Sequence, residues 1–188
     1  MDTLIRADVE AHPEEIVQRI KDGAIFIHPT DTIYGLGCDA TNSVAVRKLR
    51  ELKQRPTNPF SVWVPSIAWI RKHGEITPKT EKWLLQLPGP YTLILRLKDK
   101  KAVAKEVVVG KETLGVRYPN HWFGKIVAML DKPIVTTSVN KAGEPFLTTL
   151  LALEPEIARQ IDFAIDEGEK NGRPSKMIDV EKEEVKER

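Results

Sequence analysis

Apolar residues recur along this chain at two spacings, one suited to helices and one to strands. After Pro13, which suits a first helical position, Ile16, Val17 and Ile20 form one face and Gly23 stops the run, so a helix is predicted over 13–23. Residues 24–28 make a short apolar strand, followed by a long loop over 29–42. Helical spacing returns over 43–53, where Val46, Leu49 and Leu52 share a side, and 60–64 again reads as a strand. Ser66 and Thr77-Pro78 have the chemistry of helix starts, and the second helix runs to Leu87, where Pro88-Gly89-Pro90 breaks it. Residues 91–97, 113–117 and 133–137 predict strands. Asn120 is placed to cap a helix carrying Phe123, Ile126, Val127 and Leu130. A last helix is expected over 149–160 with a break at Pro155, then closing strands over 163–165 and 177–180. Residues 181–188 are mostly charged and predict a frayed tail. Strands and helices mixed without repeat or linker predict one α/β or α+β unit, whose strand order this pattern does not contain.

Composition narrows the class. A chain of 188 residues corresponds to about one domain, large enough to fold without a disulfide or metal staple. Its 29 Lys+Arg against 27 Asp+Glu leave a net charge of +2, too balanced for a histone-like binder of nucleic acid. Cys38 is the single cysteine, which excludes a disulfide framework and a Cys-rich zinc site and predicts a small buried filler. The early acidic residues Asp2, Asp8, Glu10, Glu14 and Glu15 leave no apolar leader, and no apolar run is long enough to span a membrane. A cytoplasmic protein without membrane contact is expected.

The chemistry gathers at the ends of the predicted strands. There is no phosphate-binding P-loop and no metal-ligand spacing among His12, His28, His73 and His121, which are expected at the surface or at caps. Gly35-Leu36-Gly37-Cys38-Asp39-Ala40 matches a dinucleotide fingerprint in letters only. Six residues separate it from the preceding strand, so its glycines are expected to permit close packing instead. Pro29-Thr30-Asp31-Thr32 places two hydroxyls around a carboxylate just after a buried strand. Either the loop stabilises itself with these side chains, or they hold the amine and hydroxyl of a small polar substrate. Pro56 forces Arg55 into an extended conformation, so Lys53 and Arg55 face the same way and suit a triphosphate, with Asn58 as a further donor. Arg117 ends an apolar strand and requires either an internal carboxylate or an anionic ligand. The stretch 133–140 ends in Thr136, Thr137, Ser138 and Asn140, which hydrogen-bond but provide no base near pH 7. Such a set binds phosphates and polar molecules by electrostatics and does not suggest a hydrolytic triad.

Five stretches, in order, resemble the YrdC-like family: Pro29-Thr30-Asp31-Thr32-Ile33-Tyr34-Gly35-Leu36-Gly37, Lys53-x-Arg55-Pro56, Pro88-Gly89-Pro90-Tyr91-Thr92, Gly115-Val116-Arg117-x-Pro119 and Ser138-x-Asn140. The resemblance implies a single domain with its core at about 12–180, a twisted, largely parallel open sheet with helices on its faces, and a positively charged cavity. It implies a nucleotidyltransferase that joins L-threonine, bicarbonate and ATP into threonylcarbamoyl-AMP and pyrophosphate. That is the first step of the threonylcarbamoyl modification of adenosine 37 in tRNA, and the product passes to a downstream tRNA-modifying transferase complex. By the same resemblance Thr32, Thr136 and Ser175 contact threonine and Arg117 holds its carboxylate. Arg55, Asn58, Thr113 and Ser138 contact ATP, and Lys53 and Asn140 meet phosphate. No residue serves as general acid or base; Lys53 and Arg55 act electrostatically, and Mg²⁺ comes with ATP. The chain departs from the usual family pattern in its short Arg55–Pro59 interval, in Trp63 for a histidine, in Phe146 for a small residue, and in Arg173-Pro174-Ser175-Lys176. It also reaches Arg188 before a later arginine-bearing strand of many members. Two other readings stay open: a module of this fold that binds double-stranded RNA or tRNA by shape, and a carbamoyl-transfer relative with another substrate.

Overall fold

The computed structural model describes residues 1–140 and 144–186. The predicted helix starts are met by local chemistry. In α2 (Pro13–Lys21) proline stands in the first turn with Glu14 and Glu15, Arg19 and Lys21 lie in the last, and Gly23 follows at φ +92°. The Asn42 side chain caps α3 (Ser43–Leu52) by accepting from the Val44 and Ala45 amides. Ser66 and Thr77 likewise cap α4 (Ile67–His73) and α5 (Pro78–Leu84). Before them, β1 (Asp2–Ile5) and α1 (Arg6–Ala11) form where no element was predicted.

One ten-stranded sheet runs in the order β1-β8-β2-β3-β7-β4-β6-β5-β9-β10. Its remaining strands are β2 (Phe26–His28), β3 (Gly35–Gly37), β4 (Ser61–Trp63), β5 (Tyr91–Arg96), β6 (Thr113–Arg117), β7 (Ile134–Ser138), β8 (Phe163–Asp166), β9 (Lys176–Asp179) and β10 (Glu184–Lys186). The expectation of a largely parallel sheet is corrected: five of its strand pairs are antiparallel and four parallel. Short connections account for two of the five antiparallel pairs. A parallel return needs a crossover of a dozen or more residues, whereas residues 29–34 and 180–183 are too few and send β3 and β10 back antiparallel. β3 therefore interrupts the predicted loop, and β10 pairs within the predicted tail.

The later helices also differ from expectation. Phe123, not Asn120, occupies the N-cap of α7 (Gly124–Leu130). The predicted helix over 149–160 is a 3₁₀ turn, Leu150–Ala152, and a short α8 (Pro155–Ala158) that starts at its proline. α6 (Lys105–Val108) is a single turn.

Neighbouring residues of a strand enter opposite cores. Phe26, Trp63, Ile134, Phe163 and Ile165 join α2 and α7 on one face; Ile27, Val62, Val135 and Ala164 join α3 on the other. On the first face the hydrophobic cover reaches Trp63 on β4. On the same face, other residues of β7 and β4, with β6 and β5, line the site.

Candidate functional site

The loop between β2 and β3 is shaped by its own threonines. The Thr30 hydroxyl donates to the Ile33 carbonyl at 2.7 Å, accepts the Thr32 amide at 3.1 Å, and lies 3.0 Å from the Thr32 hydroxyl. That geometry directs Asp31 to Arg117, whose Nη2 donates to Asp31 Oδ1 at 2.9 Å and to Thr32 Oγ1 at 3.2 Å. Asp31 Oδ2 also accepts the Asn120 amide at 3.3 Å. Of the two alternatives for Arg117, the structure therefore contains the internal carboxylate. The side chains of this pair are only 8 % and 11 % exposed, so water screens it weakly.

Arg117 lines a cavity of about 220 Å³ with Thr136, Thr92, Ser61 and Ser175. Ser175 and Thr92 hydroxyls lie 2.7 Å apart, and Phe146 and Pro174 supply an apolar side. Thr32 does not line this cavity; its hydroxyl touches Arg117, which does. A second, larger cavity of about 600 Å³ holds Arg55, Asn58, Thr113 and Lys111, with Phe60, Ile94 and Met177 as its apolar part. A third, of about 300 Å³, is edged by Lys53, Arg55, Asn58 and Asn140. Ser138 lines all three. The candidate residues thus converge on one continuous site at the ends of β4, β6 and β7.

Lys53 does more than face the same cavity as Arg55. Its Nζ donates to the Ser138 carbonyl at 2.7 Å, to Asn140 Oδ1 at 2.8 Å and to the Asn140 carbonyl. The Ser138 hydroxyl donates to Asn140 Oδ1 at 2.7 Å. Lys53 thereby ties α3 to the turn after β7. Burial, helped by the nearby Arg55 charge, lowers its pKa to about 8. Arg50 buttresses the neighbouring loop: it donates to the carbonyls of Arg55 at 2.6 Å, Asn58 at 3.0 Å and Glu106 at 2.6 Å.

Several residues that sequence reasoning missed complete the site. Ser61 and Lys111 line cavities, and the signal for Ser61 was its place in a buried strand, alternating with Val62. His28 is fully buried, contrary to its expected place at a surface or cap. Burial holds its pKa down to about 3, so the ring is neutral. It stacks on Phe123 at 5.5 Å and leans on Trp63 at 5.7 Å, in the aromatic cluster behind the smaller cavity. Gly35 has its expected packing role, because a Cβ there would lie 2.7 Å from His28 Cε1 and 2.9 Å from Thr136 Oγ1. Cys38 is buried, and burial raises its thiol pKa far above the usual range, which leaves it inert.

Residues 167–175 form a strap whose last two residues, Pro174 and Ser175, line the smaller cavity. The Tyr34 hydroxyl accepts the Glu167 amide at 2.9 Å and donates to the Gly168 carbonyl at 2.7 Å. Glu167 also accepts from His121 at 3.0 Å, from Lys170 and from the Trp122 indole. Burial alone would raise the Glu167 pKa, but these hydrogen bonds outweigh it and hold the carboxyl at about 2. Gly172 lies against the first loop so closely that a Cβ would stand 2.1 Å from the Thr32 carbonyl oxygen. Among the described residues, no group of three or more His, Cys, Asp or Glu is placed to hold a metal ion.

The model of the Sua5/YciO/YrdC family, described as "Telomere recombination", matches residues 18–187. A protein of Methanocaldococcus jannaschii is 33 % identical over 175 residues, covering 92 % of this chain and 82 % of that one. The threonylcarbamoyl-AMP synthase of Vibrio campbellii is 30 % identical over 180 residues, covering 92 % and 96 %. The crystal structure of Pyrococcus abyssi Sua5 complexed with L-threonine superposes with a TM-score of 0.80 at 28 % identity. It covers 95 % of this chain, which spans 53 % of that longer protein.

Proposed function

The chain belongs to the Sua5/YciO/YrdC family, and from that premise we propose that it is a threonylcarbamoyl-AMP synthase, a nucleotidyltransferase acting on L-threonine, bicarbonate and ATP. The observation that carries this reading is the pairing of two unlike cavities on one sheet face. The smaller has hydroxyls and an arginine, suited to an amino acid with a hydroxyl and a carboxylate. The larger combines cations at one side with apolar residues at the other, suited to phosphates and a base.

The amine of threonine and bicarbonate form a carbamate and water. A carbamate oxygen then attacks the α-phosphorus and pyrophosphate leaves. Placement of the two reactants supplies much of the acceleration, and the fixed charges of Arg55 and Lys53 offset charge on the phosphates. Arg55, Asn58, Thr113, Ser138 and Asn140 are the proposed nucleotide contacts; Thr32, Arg117, Thr136 and Ser175 are those of threonine. Mg²⁺ enters as part of the MgATP substrate, held by phosphate oxygens and water. The cations, hydroxyls and amides of this site suit phosphate oxygens rather than a metal. The product is handed to a tRNA-modifying transferase complex. Among the described residues no helix is long and apolar enough to cross a membrane.

Pyrophosphate release measured with each substrate omitted in turn tests the reading. Release is expected only with ATP, threonine and bicarbonate together. Release without threonine, or equal release with another amino acid, overturns it. Tight, salt-sensitive RNA binding without turnover favours instead the shape-reading module.

A further inference from the structure

Alternate residues of β6 share a face, and on the site's side these are Thr113, Gly115 and Arg117. Thr113 lines the larger cavity and Arg117 the smaller. Gly115 stands between them and lines the larger. Its partner across the sheet, Ser61 on β4, lines both.

A glycine inside a central strand weakens it and marks a place where something must come close to the backbone. Backbone conformation does not require one here, because the positive-φ glycines of the described residues are Gly23, Gly110 and Gly168. Space is the remaining reason. A Cβ on Gly115 would stand 2.8 Å from Ser61 Oγ and 3.2 Å from Cγ2 of Thr92, a residue of the smaller cavity. The volume above the Gly115 α-carbon is therefore bounded by groups of both cavities.

We propose that Gly115 keeps open the passage through which the carbamate of the smaller cavity reaches the nucleotide α-phosphorus in the larger. The proposal rests on the synthase reading above. In the joining step one carbamate oxygen forms a bond to the α-phosphorus. The bond from that phosphorus to the bridging oxygen breaks, and its electron pair leaves with pyrophosphate; nothing is oxidised or reduced. Reacting atoms have to approach to about 3–3.5 Å before this step, so a methyl group between them acts on joining and not on either separate binding event.

Gly115→Ala, and Ser61→Ala/Gly115→Ala compared with Ser61→Ala alone, test the passage. The double variant removes the conflict with Ser61 Oγ yet leaves the methyl in place, so it stays readable if the single variant does not fold. Both variants are expected to melt as cooperative folded proteins. By calorimetry they should bind threonine alone and ATP alone with affinities close to their parents'. Pyrophosphate release at saturating substrates is expected to fall by about 100-fold, the usual effect of misplacing reactants by an ångström. Full turnover in the double variant overturns the proposal, since the methyl is then tolerated. Weaker ATP binding with unchanged kcat also overturns it and assigns Gly115 to the nucleotide cavity alone. Failure of both variants to fold overturns it in favour of a packing role. The wild-type protein run alongside isolates the underlying reading: if it releases no pyrophosphate, the synthase assignment fails first and the passage with it.

Discussion

Arg117 shows what a single residue's partner decides. From sequence its alternatives are an internal carboxylate or an anionic ligand, and an internal pair, unlike an awaited ligand, contributes to the stability of the free protein. With Asp31 already on the guanidinium, an incoming carboxylate has to share or replace it. Arg117→Lys keeps the charge and loses the planar fork, so both stability and ligand affinity should respond. Threonine affinity is expected to drop by about 1.5–3 kcal/mol, the range of a charged hydrogen bond. Melting temperature should fall by roughly 2–4 °C, corresponding to about 1 kcal/mol in a chain of this size. A thermal-shift titration reads both: threonine should raise the wild-type melting temperature and leave that of the variant almost still. An unchanged threonine response would place the amino-acid carboxylate elsewhere and leave Asp31 as the arginine's permanent partner.

Among the elements, the strap over 167–175 is the one whose role no periodicity announces. It is held at one end by Tyr34 and Glu167, and it delivers Ser175 to the smaller cavity at the other. Midway, Gly172 makes a backbone-to-backbone approach to Thr32, where no side chain can rotate away. Gly172→Ala should therefore lift the strap from the first loop, at the cost of about 1–3 kcal/mol typical of overpacking. Its kinetic signature is a raised KM for threonine with the KM for ATP unchanged, because Arg55, Asn58 and Thr113 lie on other elements. A proportional rise in both KM values would show that the strap stabilises the whole site and not its amino-acid side.

For the molecule as a whole, the buried aromatic cluster behind the site sets a pH dependence. His28 has a pKa of about 3 when folded against 6.5 when unfolded. Between these values the unfolded chain binds a proton that the folded one refuses, so stability falls as pH falls from about 6.5 towards 3. The loss approaches about 1.4 kcal/mol per pH unit from this one group. Glu167, at about 2 when folded against 4.5, adds a loss of the same sign below 4.5. Urea midpoints measured from pH 5 to 7 should rise with pH in the wild-type protein and flatten in His28→Asn. A wild-type midpoint that rises on acidification would mean that the histidine is charged in the folded state.

The sequence by itself determined the features settled within a turn or two of chain. Asn42, Ser66 and Thr77 cap helices because their side chains reach amides two or three residues on. The strands at 61–63, 91–96, 113–117 and 134–138 follow from local apolar runs, and the cations and hydroxyls at their ends were legible as a set that binds phosphates and polar small molecules. Family resemblance added roles to those residues, but no residue pattern placed them together. Tertiary structure alone decided the rest. Whether strands run parallel depends on hydrogen-bond partners distant in sequence, so β1, β3 and β10, which are short and gain stability only from their neighbours, were not visible. His28 was expected outside because its own composition is polar, and it lies inside because Phe123 and Trp63, far along the chain, close over it. Asp31 meets Arg117 across 86 positions, and Gly115 meets Ser61 across a strand pair. Each of these contacts exists only after the sheet has brought together segments that share no local signal, since the entropy of joining them is recovered by the assembled core and not by either segment.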